Sequence, residues 1–134
     1  MCLAVYIASN RDLPVVPPDK KDPTFYVSEL TISTGVRKQF TLPNVCYVGS
    51  SEGCGCGFLK DGVNGEELAK VEREYAQLST YIATLQKEGS DIELFSCWEG
   101  DQSATIDFDE QIGADDLNRK EFEFKEKALY RVRA

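Results

Sequence analysis

One stretch limits the fold of this chain more than any other. Leu68, Val71, Tyr75, Leu78, Ile82 and Leu85 recur at intervals of 3, 4, 3, 4 and 3 residues, which a helix gathers into a single apolar stripe. Asn64 reads as an N-cap with Glu67 three residues later, Glu66 and Glu67 suit the positive end of a helix, and Gly89 suits the left-handed residue past its end. The pattern predicts a helix over 65–88. Its 3,4 spacing would also fit a coiled-coil seam, but about three heptads without regular flanking charge pairs are better read as covering a sheet.

The rest of the chain supplies the strands such a sheet needs. Leu3 to Ala8 is a short apolar run rich in β-formers and reads as a buried strand. Phe25 to Ile32 alternates, Val36 to Leu42 forms a weaker candidate ending at Pro43, and Val45 to Val48 forms another. Beyond the helix, strand character returns at Ile92 to Trp98, at Ala104 to Phe108, at Phe122 with Phe124, and at Leu129 to Val132. Pro14, Pro17, Pro18 and Pro23 make the stretch from 13 to 23 a surface connection, and Gly113 to Asn118 has room for one helical turn. The expectation is an α+β fold: one domain over 1–134, in two layers, with a mixed sheet of about five to seven strands covered by the long helix. At 134 residues the core can stand without a disulfide or a metal.

Charge and composition narrow the chemistry. Fifteen Lys and Arg against 23 Asp and Glu leave a net charge of −8, which repels phosphate backbones and anionic membrane surfaces, so neither nucleic acid nor membrane is an expected partner. No run of 18 apolar residues and no basic-then-apolar leader occurs, and five cysteines, an odd number, fit free thiols in a reducing cytoplasm. The chain has no histidine, which removes imidazole bases and every His-containing metal site. Thiol, carboxylate, Lys, Arg and Tyr chemistry remains.

The cysteines carry the most specific pattern. Gly53-Cys54-Gly55-Cys56-Gly57 lies in a loop over 49–64, longer than most connections, between a strand and the long helix. Strand 45–48, this loop, helix 65–88 and strand 92–98 have the order of a parallel crossover, in which ligands gather at the carboxyl ends of the strands. Cys54, Cys56 and Cys97 then share one edge, and Cys2 joins them if the first strand runs antiparallel to that pair; Cys46, in mid-strand, is a packing residue. The four candidates Cys2, Cys54, Cys56 and Cys97 could bind zinc or an iron–sulfur centre, although one residue between Cys54 and Cys56 departs from the usual spacing of zinc ligands. In a thiol redox reading, Cys54 or Cys56 attacks, another cysteine resolves, and Lys60 stabilises the thiolate. With purely structural cysteines, the chain is instead a non-catalytic module for a protein or small-molecule partner. Whether it is an enzyme stays open.

Cys2 offers a separate route, because removal of Met1 would leave a cysteine whose own amine can serve as the base. Met1-Cys2-Leu3 followed by Asn10-Arg11-Asp12 resembles the start of the N-terminal-nucleophile hydrolase relatives in the transport and Golgi organisation family, where an N-terminal Cys precedes an Asn-Arg-Asp-Glu stretch. The match spans about a dozen positions, and Leu13 stands where that family has Glu. It implies a cysteine hydrolase and a four-layer sandwich, for which this chain is short.

Two other features have plainer readings. Glu99, Asp101, Asp107, Asp109, Glu110, Asp115 and Asp116 are dense, but an EF-hand beginning at Asp107 would have Ile112 in place of its glycine and Asn118 in place of its bidentate glutamate. A solvated acidic rim fits better. Trp98, beside Cys97, either walls a pocket or fills the core.

Overall fold

The computed structural model describes residues 2–30 and 35–134. Its strands are β1 (Leu3–Ser9), β2 (Tyr26–Glu29), β3 (Asn44–Gly49), β4 (Ile92–Trp98), β5 (Phe108–Gly113) and β6 (Ala128–Arg133), and the one long helix is α1 (Gly65–Lys87). They form a six-stranded mixed sheet in the order β2-β3-β1-β4-β6-β5. Only β5 and β6 pair in parallel; every other neighbouring pair is antiparallel.

β1 occupies the middle because it is apolar on both faces, and all seven of its residues are buried. Leu3, Val5 and Ile7 face the helix, whereas Ala4, Tyr6 and Ala8 face the other side. α1 lays Val71, Tyr75, Leu78, Ile82 and Leu85 on the first face, as the periodicity predicts, while Leu68, the first residue of the expected stripe, is half-buried and outside that core. Its C-terminus closes as a Schellman motif: Gly89, at φ 96°, donates to Gln86 O at 3.0 Å, and Ser90 donates to Leu85 O at 3.0 Å. Asn64 makes no side-chain capping bond at the other end.

β3 and β4, the strands flanking α1 in sequence, run parallel to each other with β1 antiparallel between them. The start of β1 therefore falls at the edge where β3 and β4 end. The second face of the sheet is closed by irregular chain carrying Val36, Phe40, Leu42 and Ile106.

Three expected strands take other forms. Val36–Gln39 is a 3-10 turn, because Val36 and Phe40 are four residues apart and both pack onto the second face. The segment expected over 104–108 yields β5 only from Phe108, because the buried Gln39 amide donates to the carbonyls of Gln102 and Ala104 that a ladder would use. Phe122 and Phe124 alternate without a strand: the Phe124 N–H donates to Tyr75 Oη and the Lys125 N–H to Tyr130 Oη. The strand expected over 25–32 is seen as Tyr26–Glu29, and its last two expected residues lie outside the described residues. The helical turn expected after Gly113 is present at Ala114–Asn118.

Candidate metal centre

The cysteine loop is tied down from within and from below. The buried Ser50, just past β3, donates through its hydroxyl to Cys54 O and accepts from the Gly57 N–H at 2.9 Å and the Glu52 N–H at 3.4 Å. Cys54 O also receives the Ser50 N–H at 3.0 Å. Gly55 begins a 3-10 turn, Gly55–Phe58, that delivers Phe58 into the core. There its ring packs edge-on against Tyr75 and Phe124, and Tyr75 Oη donates to Phe58 O at 2.6 Å. Hydrophobic burial of one ring thus anchors the end of a loop that has little apolar character of its own.

The glycines of the string serve two purposes. Gly53 adopts φ +79°, a turn conformation suited to glycine. A Cβ on Gly55 would lie 2.7 Å from the Leu3 carbonyl, and one on Gly57 would lie 2.3 Å from Ser50 Oγ. Close approach to β1 and to Ser50 is therefore what these two positions require.

With the loop held against the start of β1, the sulfurs of Cys2, Cys54 and Cys56 all lie within 4.8 Å of one another. Cys2 is exposed, and Cys54 and Cys56 are half-buried. Cys2 O accepts the Glu99 N–H at 2.8 Å, which continues the β1–β4 pairing by one residue and fixes the chain there. The Leu3 N–H points at Cys56 Sγ at 3.3 Å, and the Cys56 N–H points at Cys54 Sγ at 3.4 Å. Backbone donors aimed at sulfur favour thiolate and are the outer-shell partners that metal–thiolate sites use.

The electrostatics separate ligand chemistry from nucleophile chemistry. Burial pushes the Cys54 thiol up to about 12, and the neighbouring Cys56 and Cys2 thiols oppose its ionisation while the Cys56 N–H favours it. A reactive cysteine needs the opposite, a nearby cation that lowers its pKa. Lys60 does not fill that role, because its ammonium lies 4.9 Å above the Tyr75 ring and donates to the carbonyls of Arg119 and Lys120.

Cys97, grouped with the others on the sequence, stands apart. Side chains alternate along β4, so Ile92, Leu94 and Trp98 face the helix side while Phe95 and Cys97 face the second layer. Cys97 is wholly buried opposite Ala4, and burial pushes its thiol up to about 12. Cys46 is packed beneath the helix, as expected. Trp98 is half-buried against the helix-side core and donates to Glu126 at 2.7 Å. The acidic stretch is a rim of ion pairs: Asp109 meets Arg131 at 3.2 Å, Glu110 meets Lys125 at 2.8 Å, and Asp107 meets Lys127 at 3.5 Å.

Asn10 and Arg11 follow the far end of β1, about 23 Å of strand away from Cys2. There Asn10 Oδ1 accepts the Asp91 N–H at 2.8 Å and Arg11 donates to Glu88 O, which secures the turn between α1 and β4. The residues of the hydrolase-like signature thus lie at opposite ends of β1, and the described residues form one six-stranded sheet, not the four-layer sandwich the resemblance implies.

Two residues of the site region escape the sequence reading. Ser50 carries no signal beyond its place in a loop. Glu74 does carry one, since it sits between Val71 and Leu78 at helical spacing on the apolar stripe. Its side chain is fully buried, and neither carboxylate oxygen makes a hydrogen bond of good geometry, although Ser51 and Thr24 lie close to it. No protein-family model, curated protein or solved structure matches this chain.

Proposed function

We propose that the chain is a metal-binding protein in which the thiolates of Cys2, Cys54 and Cys56 hold one soft metal ion, with zinc the first candidate. The observation that carries this reading is the convergence of three sulfurs within 4.8 Å, from a strand terminus and a loop more than 50 residues away. Tetrahedral zinc with bonds of about 2.3 Å places its sulfurs about 3.8 Å apart, so a cluster already within 4.8 Å has to tighten by about 1 Å at most. A single ion fits better than an iron–sulfur cluster, which draws on four cysteines. The N–H donors at Cys54 and Cys56 supply part of what an anionic sulfur set needs, and the cation supplies the rest.

The reading implies a compartment that keeps thiols reduced, such as the cytoplasm. Disulfide redox chemistry is the weaker reading, because the cation it calls on, Lys60, is engaged with the Tyr75 ring and the carbonyls of Arg119 and Lys120.

The experiment is anaerobic titration of reduced, metal-free protein with Co(II) and then zinc. One equivalent of Co(II) with intense sulfur-to-metal charge transfer, displacement by zinc, and protection of Cys2, Cys54 and Cys56, the three thiols outside the core, is the expected result. Cys2→Ser, Cys54→Ser or Cys56→Ser each removes it, and Cys97→Ala does not. Failure to take up either ion, with Cys2, Cys54 and Cys56 all reactive, would sink the proposal.

A further inference from the structure

Among the described residues the chain brings three sulfurs to the ion and no fourth donor. There is no histidine, Cys97 is locked in β4 on the opposite face, and Cys46 lies in the core under α1. Glu99, the carboxylate closest in the pairing to Cys2, accepts from the Gln102 amide at 2.8 Å. A structural zinc site closes with four protein ligands, whereas three leave a position for an outside molecule.

The shape of the surroundings says what could reach that position. A cavity of about 280 Å³ opens beside Cys56, between the cysteine loop and the first turns of α1. Leu59 and Val71 line it with apolar surface, while Lys70 brings a cation and Glu52 and Glu67 bring anions. Soft thiolate sites prefer a soft further donor. A cavity of this size takes a small molecule, and its mixed charges suit one carrying both an ammonium and a carboxylate.

Resting on the three-thiolate metal site, we propose that this site binds a small zwitterionic thiol, of the cysteine type, as the fourth ligand of the metal, with the ligand body in the cavity beside Cys56. Binding forms one sulfur–metal bond, releases the thiol proton to solvent and displaces whatever solvent filled the position; no electrons are transferred. The carboxylate of the ligand meets Lys70, and its ammonium meets Glu52 or Glu67. An uncharged thiol gains the bond to the metal without those contacts.

The test uses the full chain in its Co(II) form, prepared anaerobically and titrated with L-cysteine and, separately, with 2-mercaptoethanol. The expected result is a rise of about one third in sulfur-to-cobalt charge-transfer intensity, as three thiolates become four, saturating at one equivalent with the cobalt still on the protein after gel filtration. Referred to the thiolate present in each titration, L-cysteine half-saturates at least about tenfold below 2-mercaptoethanol, about 1.4 kcal/mol, and the surface substitution Lys70→Ala narrows that gap. Equal affinity for the two thiols, an unresponsive spectrum already typical of four sulfurs, or transfer of the cobalt to the small-molecule fraction each overturns the proposal while leaving the metal site standing. No cobalt uptake before any thiol is added removes the metal site and this inference together.

Discussion

Glu74 sets a cost within the core that single-residue chemistry can expose. Neither of its oxygens makes a hydrogen bond of good geometry in the packed interface between α1 and the chain near Thr24 and Ser51, and desolvation holds its pKa above the ordinary value of 4.5, against weaker lowering by nearby Ser51, Arg73 and Thr24. The native state therefore keeps a proton that the unfolded chain has already lost. Between the ordinary carboxylate pKa and the raised native one, stability falls as pH rises. Glu74→Gln removes that slope. The expected outcome is a variant close to wild type near pH 4 and more stable than wild type at pH 8, by about 1 kcal/mol or more, the scale of an unsatisfied buried polar group. Thermal unfolding of both proteins across that range checks it, and a difference that does not change with pH would refute the assignment.

At the scale of elements, the cysteine loop depends on Ser50 and on two glycines rather than on its own packing. Ser50→Ala leaves Gly57 N–H without its acceptor in a buried setting and should cost about 1–3 kcal/mol. Gly55→Ala pushes a methyl group against the Leu3 carbonyl, so the loop must move away from β1. Because that contact positions Cys56 beside Cys2, Gly55→Ala should weaken Co(II) binding at least about tenfold, or 1.4 kcal/mol. Gly62→Ala is the control: φ is +72° there with nothing within 4 Å, so it strains the turn without touching the sulfurs. Equal metal affinity in both variants would argue against close approach as the role of Gly55.

The same elements mark the limits of sequence reading. α1 and the strands β1, β3, β4 and β6 were legible because each is bounded by glycine, proline or a polar break and has one clear period. The meeting of Cys2 with the Gly-Cys-Gly-Cys-Gly loop was legible too, as a consequence of antiparallel pairing. Cys97 was misplaced because only the pleat decides which side of β4 a side chain takes, and its phase is set by pairing with β1. The segments at 36–42 and 122–125 look like strands but spend their backbone groups on side chains such as Gln39, Tyr75 and Tyr130, which lie far off in sequence.

Across the whole molecule, the cysteine cluster proposed to hold metal joins the start of β1 to a loop, and the loop is joined through Phe58 and Tyr75 to the helix and the 122–125 segment. Occupancy should therefore stabilise the fold as a unit. At a free metal concentration 100 times the dissociation constant, linkage adds about 2.7 kcal/mol, which for a domain of this size corresponds to a rise of about 10 °C in Tm. Cys2 separates this effect from packing. Its side chain is exposed and its fixed contact is a backbone one to Glu99, so Cys2→Ser should leave the metal-free Tm within about 2 °C of wild type, as surface substitutions do. The metal-induced rise should vanish in that variant. If zinc still raised its Tm fully, the stabilising ion would be held elsewhere; if Cys2→Ser unfolded the metal-free protein, Cys2 would be a packing residue and the three-thiolate site would lose its warrant.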